Sequence, residues 1–471
     1  MNIRHQEIEI PTGDPFYGCV LDRKKYASIL SSVIKTYSDG FVLALNSEWG
    51  TGKTTFVKMW RQQLENDGYS TLYFNAWEND FDTNPLTAIL AEFKKVLPKN
   101  KEIAFNSLLK KGAVLAQNIL PGVVKAVAKR YVDIDEIHAS VEGLTKAATE
   151  ILKDEIKSYT ARQKGLSEFK QELQRFVVTA LGDKPFVFFI DELDRCKPSY
   201  AVELLEQVKH FFSVPGIVFV LSIDKIQLGH CIRGAYGSEM FNTEDYLKRF
   251  IDLEFTLPEP NVDLFCQYLF KYFNFKDFFD SDFRVNTKGL NRDGRDFIDF
   301  SASLFSGHKL TLRQQEKLFA QSRVGLLTFE KTDYVFPSVY LTLVFARAFH
   351  SDVYNKLKNI ELPVSEVLSH IRQLMPSRVP QNLDRLYEGT EALMVLFYVN
   401  AVRLLKRGDK KIQQYDIKNI SNWELFPDVI ENSASDGIRN ALVRMQDTSY
   451  SDIPLTFFFK HIEMIDDLKP S

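Results

Sequence analysis

The sequence predicts an α/β protein: a doubly wound parallel sheet followed by a mostly helical C-terminal region. Three observations predict it. Short apolar runs at 41–45, 186–190 and 216–224 have the continuous hydrophobic character of strands buried on both faces. Helical stretches separate them, and strand–helix–strand alternation builds parallel sheets. From about residue 261 the pattern turns helical, with aromatic stripes such as "FCQYLFKYFNFKDFF" that read as core.

The first strand exits into "NSEWGTGKTTF" (46–56), and the helix-like "TTFVKMWRQQLEN" follows. A phosphate chain carries several negative charges and is best held by backbone N–H groups. A chain that curls around an anion needs glycine, and the next helix adds its positive end. Gly50, Gly52, Lys53 and Thr54 supply these parts in order. Lys53 is placed to reach the β- and γ-phosphates, and the Thr54 hydroxyl to hold Mg²⁺. Ser47, Glu48, Trp49, Thr51 and Thr55 complete the loop. Ser47 stands where the G-x-x-x-x-G-K-[ST] pattern has its first glycine; it is small, but it resists positive φ.

The next strand, "YSTLYFNAWE" (69–78), follows the first core helix. The run 186–190 ends in Asp191 and Glu192. Asp191 is the expected Mg²⁺ carboxylate, acting through water. Glu192 is the expected group that orients and polarises an attacking water. Asp224 ends the strand at 216–224, on the edge where ligands bind in such sheets. Two roles fit it: a contact to the γ-phosphate or the water, or the N-cap of the helix that follows.

The chain has 471 residues, enough for two or three domains, and 38 phenylalanines for a large aromatic core. The net charge of −3 gives nucleic acid no global basic field to bind. Cys19, Cys196, Cys231 and Cys266 are far apart and form no C-x-x-C pair, which argues against a disulfide frame or a zinc site. No apolar run approaches the ~18 residues of a membrane span, and "MNIRHQEIEIPTG" has no signal-peptide core. A cytoplasmic location is expected.

Together, "SEWGTGKTTF", "YFNAWEND", "FFIDELDRCKP", "FVLSID" and "DYLKRFIDLEFTLPEP" resemble the KAP family of P-loop NTPases. The resemblance covers most of the chain and includes the opening "DPFYGCVLDRKKYASIL" (14–30). It implies an ATPase of the STAND or AAA-like kind. The family usually has Asp-Asp where this chain has Asp191-Glu192. The expected organisation is an N-terminal segment at 1–40, a P-loop domain at 41–260 with a helical insert at about 97–165, and a helical lid and C-terminal domain at 261–471. Many relatives carry membrane helices in that insert; here it is too polar to span. In the family the opening segment lies near the nucleotide, so Phe16, Tyr17 and Leu21 are expected either to wall the adenine or to pack on the sheet.

The resemblance implies hydrolysis of Mg-ATP that drives or gates a protein assembly; bacterial relatives are tied to defence against phage. A slow nucleotide-loaded switch or scaffold is the other reading. An arginine is expected to complete the site on oligomerisation or lid closure, the candidates being Arg195, Arg249 and Arg313. In the insert, Lys110, Lys111, Lys125, Lys129 and Arg130 interleave with apolar residues. An apolar stripe beside unopposed positive charge suits an anionic membrane face, a nucleic-acid backbone, or an acidic protein partner or second copy of the chain. Pro121-Gly122 and the lack of aromatics before Tyr131 favour the protein partner, and the other reading is helices packed on the protein's own core.

Overall fold

Strands β1 (Phe41–Asn46), β2 (Thr71–Asn75), β3 (Phe186–Asp191), β4 (Ile217–Ile223) and β5 (Leu253–Thr256) form one sheet. Its order is β2-β3-β4-β1-β5, and every neighbouring pair is parallel. The computed structural model describes residues 9–81, 85–96, 105–112, 145–180, 184–209, 214–408, 436–445 and 452–467. Two units divide the chain, Glu7–Glu259 and Pro260–Ser471.

The apolar runs become strands because helices cover both faces of the sheet. Side chains alternate along a strand. Phe186, Phe188 and Ile190 therefore join one core, while Val187 and Phe189 join the other. Helices α1 (Lys24–Thr36) and α2 (Lys53–Asn66) cover one face through Leu30, Ile34, Phe56 and Trp60. Helices α3 (Pro85–Val96), α4 (Thr145–Ala180), α5 (Pro198–Lys209) and α6 (Lys225–Tyr236) cover the other through Phe93, Phe176, Leu204 and Leu228. Trp60 anchors the first layer. It is fully buried, its ring meets Phe189 edge-on at 5.4 Å, and its indole N–H donates to Ser31 Oγ at 2.9 Å.

The register decides what the C-terminal edge presents. Asn75 pairs with Asp191, Asp191 with Ser222, and Asn46 with Ile223. The exits of β1, β3 and β4 thus lie along one edge, with β4 between the phosphate-loop strand and the acid-bearing strand. β5 is not among the strands that the apolar runs predict. It has 4 residues, lies at the sheet's margin and is largely exposed, so no buried run marks it.

In the insert, a helix over 105–112 carries Lys110 and Lys111, and Lys111 pairs with Glu168 of α4 at 2.7 Å. That lysine is therefore not an unopposed charge. Lys125, Lys129 and Arg130 lie outside the described residues. No helix among the described residues is long and apolar enough to cross a membrane.

The second unit is helical. The aromatic stripe forms core there: Phe270, Phe275, Phe279, Phe297 and Phe319 are buried, and the rings of Phe275 and Phe297 lie 4.9 Å apart. Arg284 is also fully buried, in an ion pair with Asp293, and it donates to the carbonyl of Asp333 at 2.8 Å.

Candidate nucleotide site

The loop between β1 and α2 curls as its glycines permit. Gly50 and Gly52 take φ of +78° and +85°, values that side chains resist. Ser47 fills the first-glycine position without adopting positive φ. Its hydroxyl lies 2.8 Å from Thr51 Oγ1, which in turn donates to the carbonyl of Glu48 at 2.8 Å. Lys53 opens α2 and is only 8% exposed. Its ammonium donates to the carbonyls of Ser47 and Glu48, the latter at 3.0 Å. Thr54 and Thr55 follow in the first helical turn, half-buried.

Three acids face this lysine from the exits of β3 and β4. Burial pushes the Lys53 ammonium down from the usual lysine range, and Asp194, Asp224 and Asp191 push it back. Asp191, at the end of β3, is 1% exposed; it accepts from Tyr73 OH at 2.9 Å and from the Glu192 N–H at 3.0 Å. Burial pushes the Tyr73 hydroxyl up, and the charge of Asp191 adds to the shift, so the phenol stays a donor. Asp194 accepts from the indole N–H of Trp49 and, at 3.1 Å, from the Asp224 N–H. Burial raises its pKa against those donors and the charge of Lys53.

Asp224 is the N-cap of α6: one oxygen accepts from Ile226 N at 3.1 Å and Gln227 N at 3.2 Å. The other accepts from the N–H of Trp49 at 3.2 Å. It thus ties β4 to the phosphate loop while it caps the helix.

Glu192 has φ of +59°, a left-handed conformation that costs a non-glycine residue about 1–2 kcal/mol. Its carboxylate pairs with Arg195 at 3.0 Å.

The loop residues, Lys53, Asp191, Glu192 and Asp224 therefore meet at one sheet edge. Arg249 is exposed on the turn before β5. Arg313 is exposed on the helix Leu312–Leu326 of the second unit. Of the expected adenine wall, Phe16 is buried against Phe56 at 6.4 Å, whereas Tyr17 is 76% exposed.

The residue that sequence reasoning missed is Arg23. Its guanidinium, 4% exposed, donates to the carbonyls of Gly52 at 2.9 Å and Thr51 at 2.7 Å. Burial lowers its pKa to about 10. Nothing in "LDRKKY" distinguishes this arginine from its basic neighbours before the fold turns it inward.

The donor set fits magnesium. A threonine hydroxyl and a buried carboxylate are hard oxygen ligands, and Mg²⁺ commonly takes one or two carboxylates with water and phosphate. Among the described residues no cluster of three or more His, Cys, Asp or Glu side chains is placed to cage a metal by itself.

A profile of the KAP family P-loop domain matches residues 23–375. The chain belongs to the KAP family of P-loop NTPases, and its first unit carries the family's nucleotide-binding P-loop. It is 23% identical over 233 residues to the Phage T7 exclusion protein of Escherichia coli (strain K12), a match covering 47% of this chain and 30% of that one. The chain thus spans less than a third of that relative's length. It is 28% identical over 177 residues to an uncharacterized protein of Methanocaldococcus jannaschii, covering 33% of this chain and 90% of that one. Among solved structures, Cdc6p from Pyrobaculum aerophilum overlaps loosely, with a TM-score of 0.32, 12% identity, and 98% of this chain and 88% of that one covered. The ORC2 protein of Aeropyrum pernix overlaps with a TM-score of 0.29 and 12% identity, covering 80% and 95%.

Proposed function

We propose that this chain binds Mg-ATP and hydrolyses it, and that the cycle drives or gates a protein assembly. The observation that carries the reading is the position of Lys53. It sits buried at the start of α2, with Asp194, Asp224 and Asp191 close enough to oppose the loss of its charge. A buried ammonium at the mouth of the loop is placed to pair with an anion once it gives up its bonds to the loop carbonyls.

In this reading the backbone of 47–52 cradles the phosphates. Lys53 exchanges its bonds to Ser47 and Glu48 for phosphate oxygens. Thr54 and Asp191 hold magnesium, and Glu192 polarises the attacking water. When bound, magnesium neutralises charge on the β- and γ-phosphates. Arg249 and Arg313, both exposed, are free to meet charge that develops on the γ-phosphoryl group in a closed or assembled state. The name of the Escherichia coli relative, a phage T7 exclusion protein, supports anti-phage defence as the setting. The partner is a protein or a second copy of this chain; a net charge of −3 lends nucleic acid no support.

Steady-state turnover of Mg-ATP by the full chain tests the reading, with Lys53→Ala as the control. Turnover that depends on Lys53 supports it. Tight nucleotide binding with no turnover, alone or with partner, leaves the slow switch as the function.

A further inference from the structure

Arg195 connects the phosphate loop to the acid expected to activate water. It ends the short helical turn Leu193–Arg195 that begins right after Glu192. Its guanidinium lies 3.0 Å from Glu192 Oε1, and the two side chains are only 22% and 15% exposed. It also lies 5.7 Å from the ring centroid of Trp49 and 5.7 Å from that of Trp77. These distances are within the range of cation–π attraction.

The two tryptophans come from different elements. Trp49 belongs to the phosphate loop. Its N–H is held by Asp224 at 3.2 Å, and its indole N–H by Asp194, the residue before Arg195. Trp77 opens the short turn Trp77–Asn79 after β2, where its N–H donates to Asn75 Oδ1 at 3.1 Å. Trp77 is half-exposed and far in sequence from the loop and the acids.

We propose that Arg195 is a positioning residue: the aromatic contacts with Trp49 and Trp77 aim its guanidinium, which holds the Glu192 carboxylate where water is activated. This rests on the hydrolase reading above. It gives Arg195 a role through Glu192, not on the γ-phosphoryl group. A guanidinium suits the task because its flat fork can stack on rings and pair with a carboxylate at once. Glu192 needs such a hold, since its backbone sits in a sparsely populated conformation at the end of β3.

The test is a double-mutant cycle on the full chain, read as kcat and KM for Mg-ATP. Arg195→Met is expected to lower kcat about 10- to 100-fold, the size of a misplaced catalytic group. Its KM is expected to stay within about threefold, because no ground-state contact is lost. Arg195→Lys, which keeps the charge and loses the fork, should recover part of kcat. Trp77→Leu should lower kcat about 2- to 5-fold with Arg195 present, as expected for one half-exposed cation–π contact. The same change should have no further effect in the Arg195→Met background, since its action runs through that arginine. Additive losses, or a kcat for Arg195→Met equal to that of the unmutated chain, overturn the proposal and leave the hydrolase reading standing. Loss of Mg-ATP binding in Arg195→Met makes the residue part of the binding fold and also overturns it. Absence of turnover in the unmutated chain overturns both.

Discussion

Arg23 donates through Nη1 to the carbonyl oxygen of Gly52 at 2.9 Å, and through Nη2 it reaches Thr51 at 2.7 Å. Two successive carbonyls of the phosphate loop are thereby turned towards one buried cation. Holding the carbonyls on one side leaves the N–H groups to face an anion on the other. Arg23→Ala is expected to weaken Mg-ATP binding about 10- to 100-fold, on the scale of one or two charge-assisted hydrogen bonds. Arg23→Lys should recover only part of that, because a point charge serves two carbonyls less well than a fork. Calorimetry on both variants, with circular dichroism to confirm folding, checks this; unaltered affinity in Arg23→Ala would remove the arginine from the account.

Glu192→Gln is expected to bind Mg-ATP as the unmutated chain does and to hydrolyse it about 10²-fold more slowly, or worse. An amide can hydrogen-bond water but cannot take its proton. Single-turnover kinetics separate the two effects. Unchanged chemistry in this variant would pass the role to Asp194 or point to the slow switch.

Much of this was legible in the sequence, for physical reasons that differ by element. The strands β1, β3 and β4 are buried on both faces, so each leaves an unbroken apolar run. The phosphate loop is legible because its backbone geometry demands glycine at positions 50 and 52. What was not legible depends on contacts between segments distant in the chain. Asp224 reads equally as a cap or a ligand until its second oxygen is seen on the N–H of Trp49, 175 residues away. Arg23 is an unremarked basic residue until it meets carbonyls 28 and 29 residues on. Asp194 is one more acid in "DELDRC" until the fold buries it to 3% exposure and sets it between Trp49 and Asp224.

The buried pair Arg284–Asp293 is expected to be a weak point of the helical unit. Arg284→Ala leaves Asp293 without its cation in a site where burial already raises the carboxyl to about 6. The expected loss is about 3–5 kcal/mol, the usual cost of breaking a buried pair. Replacing both residues with apolar ones of similar volume should cost much less. Urea unfolding of the two variants makes the comparison, and equal losses would argue against the pair as the cause.

Acid is expected to loosen the same unit. His308 lies 4.6 Å from the ring of Phe345, and His461 stacks on Phe329 at 3.9 Å. Burial lowers both below the ordinary value of 6.5. The unfolded chain therefore takes up protons first as pH falls, so stability from these residues is complete above about 6.5 and is lost below it. Unfolding midpoints measured from pH 7.5 down to 5 should fall, and less steeply in a His308→Gln, His461→Gln double variant. Parallel curves would assign the acid sensitivity to other groups.

Nucleotide binding through Lys53 is the claim on which the rest depends. Titration calorimetry of the full chain with Mg-ATP, beside Lys53→Ala, tests it most directly. The buried ammonium at the start of α2 predicts tight one-site binding in the unmutated chain. It also predicts a loss of about 100-fold or more in the variant, the scale of a charged hydrogen-bonding group removed from a buried site. Equal affinity in the two proteins would contradict it.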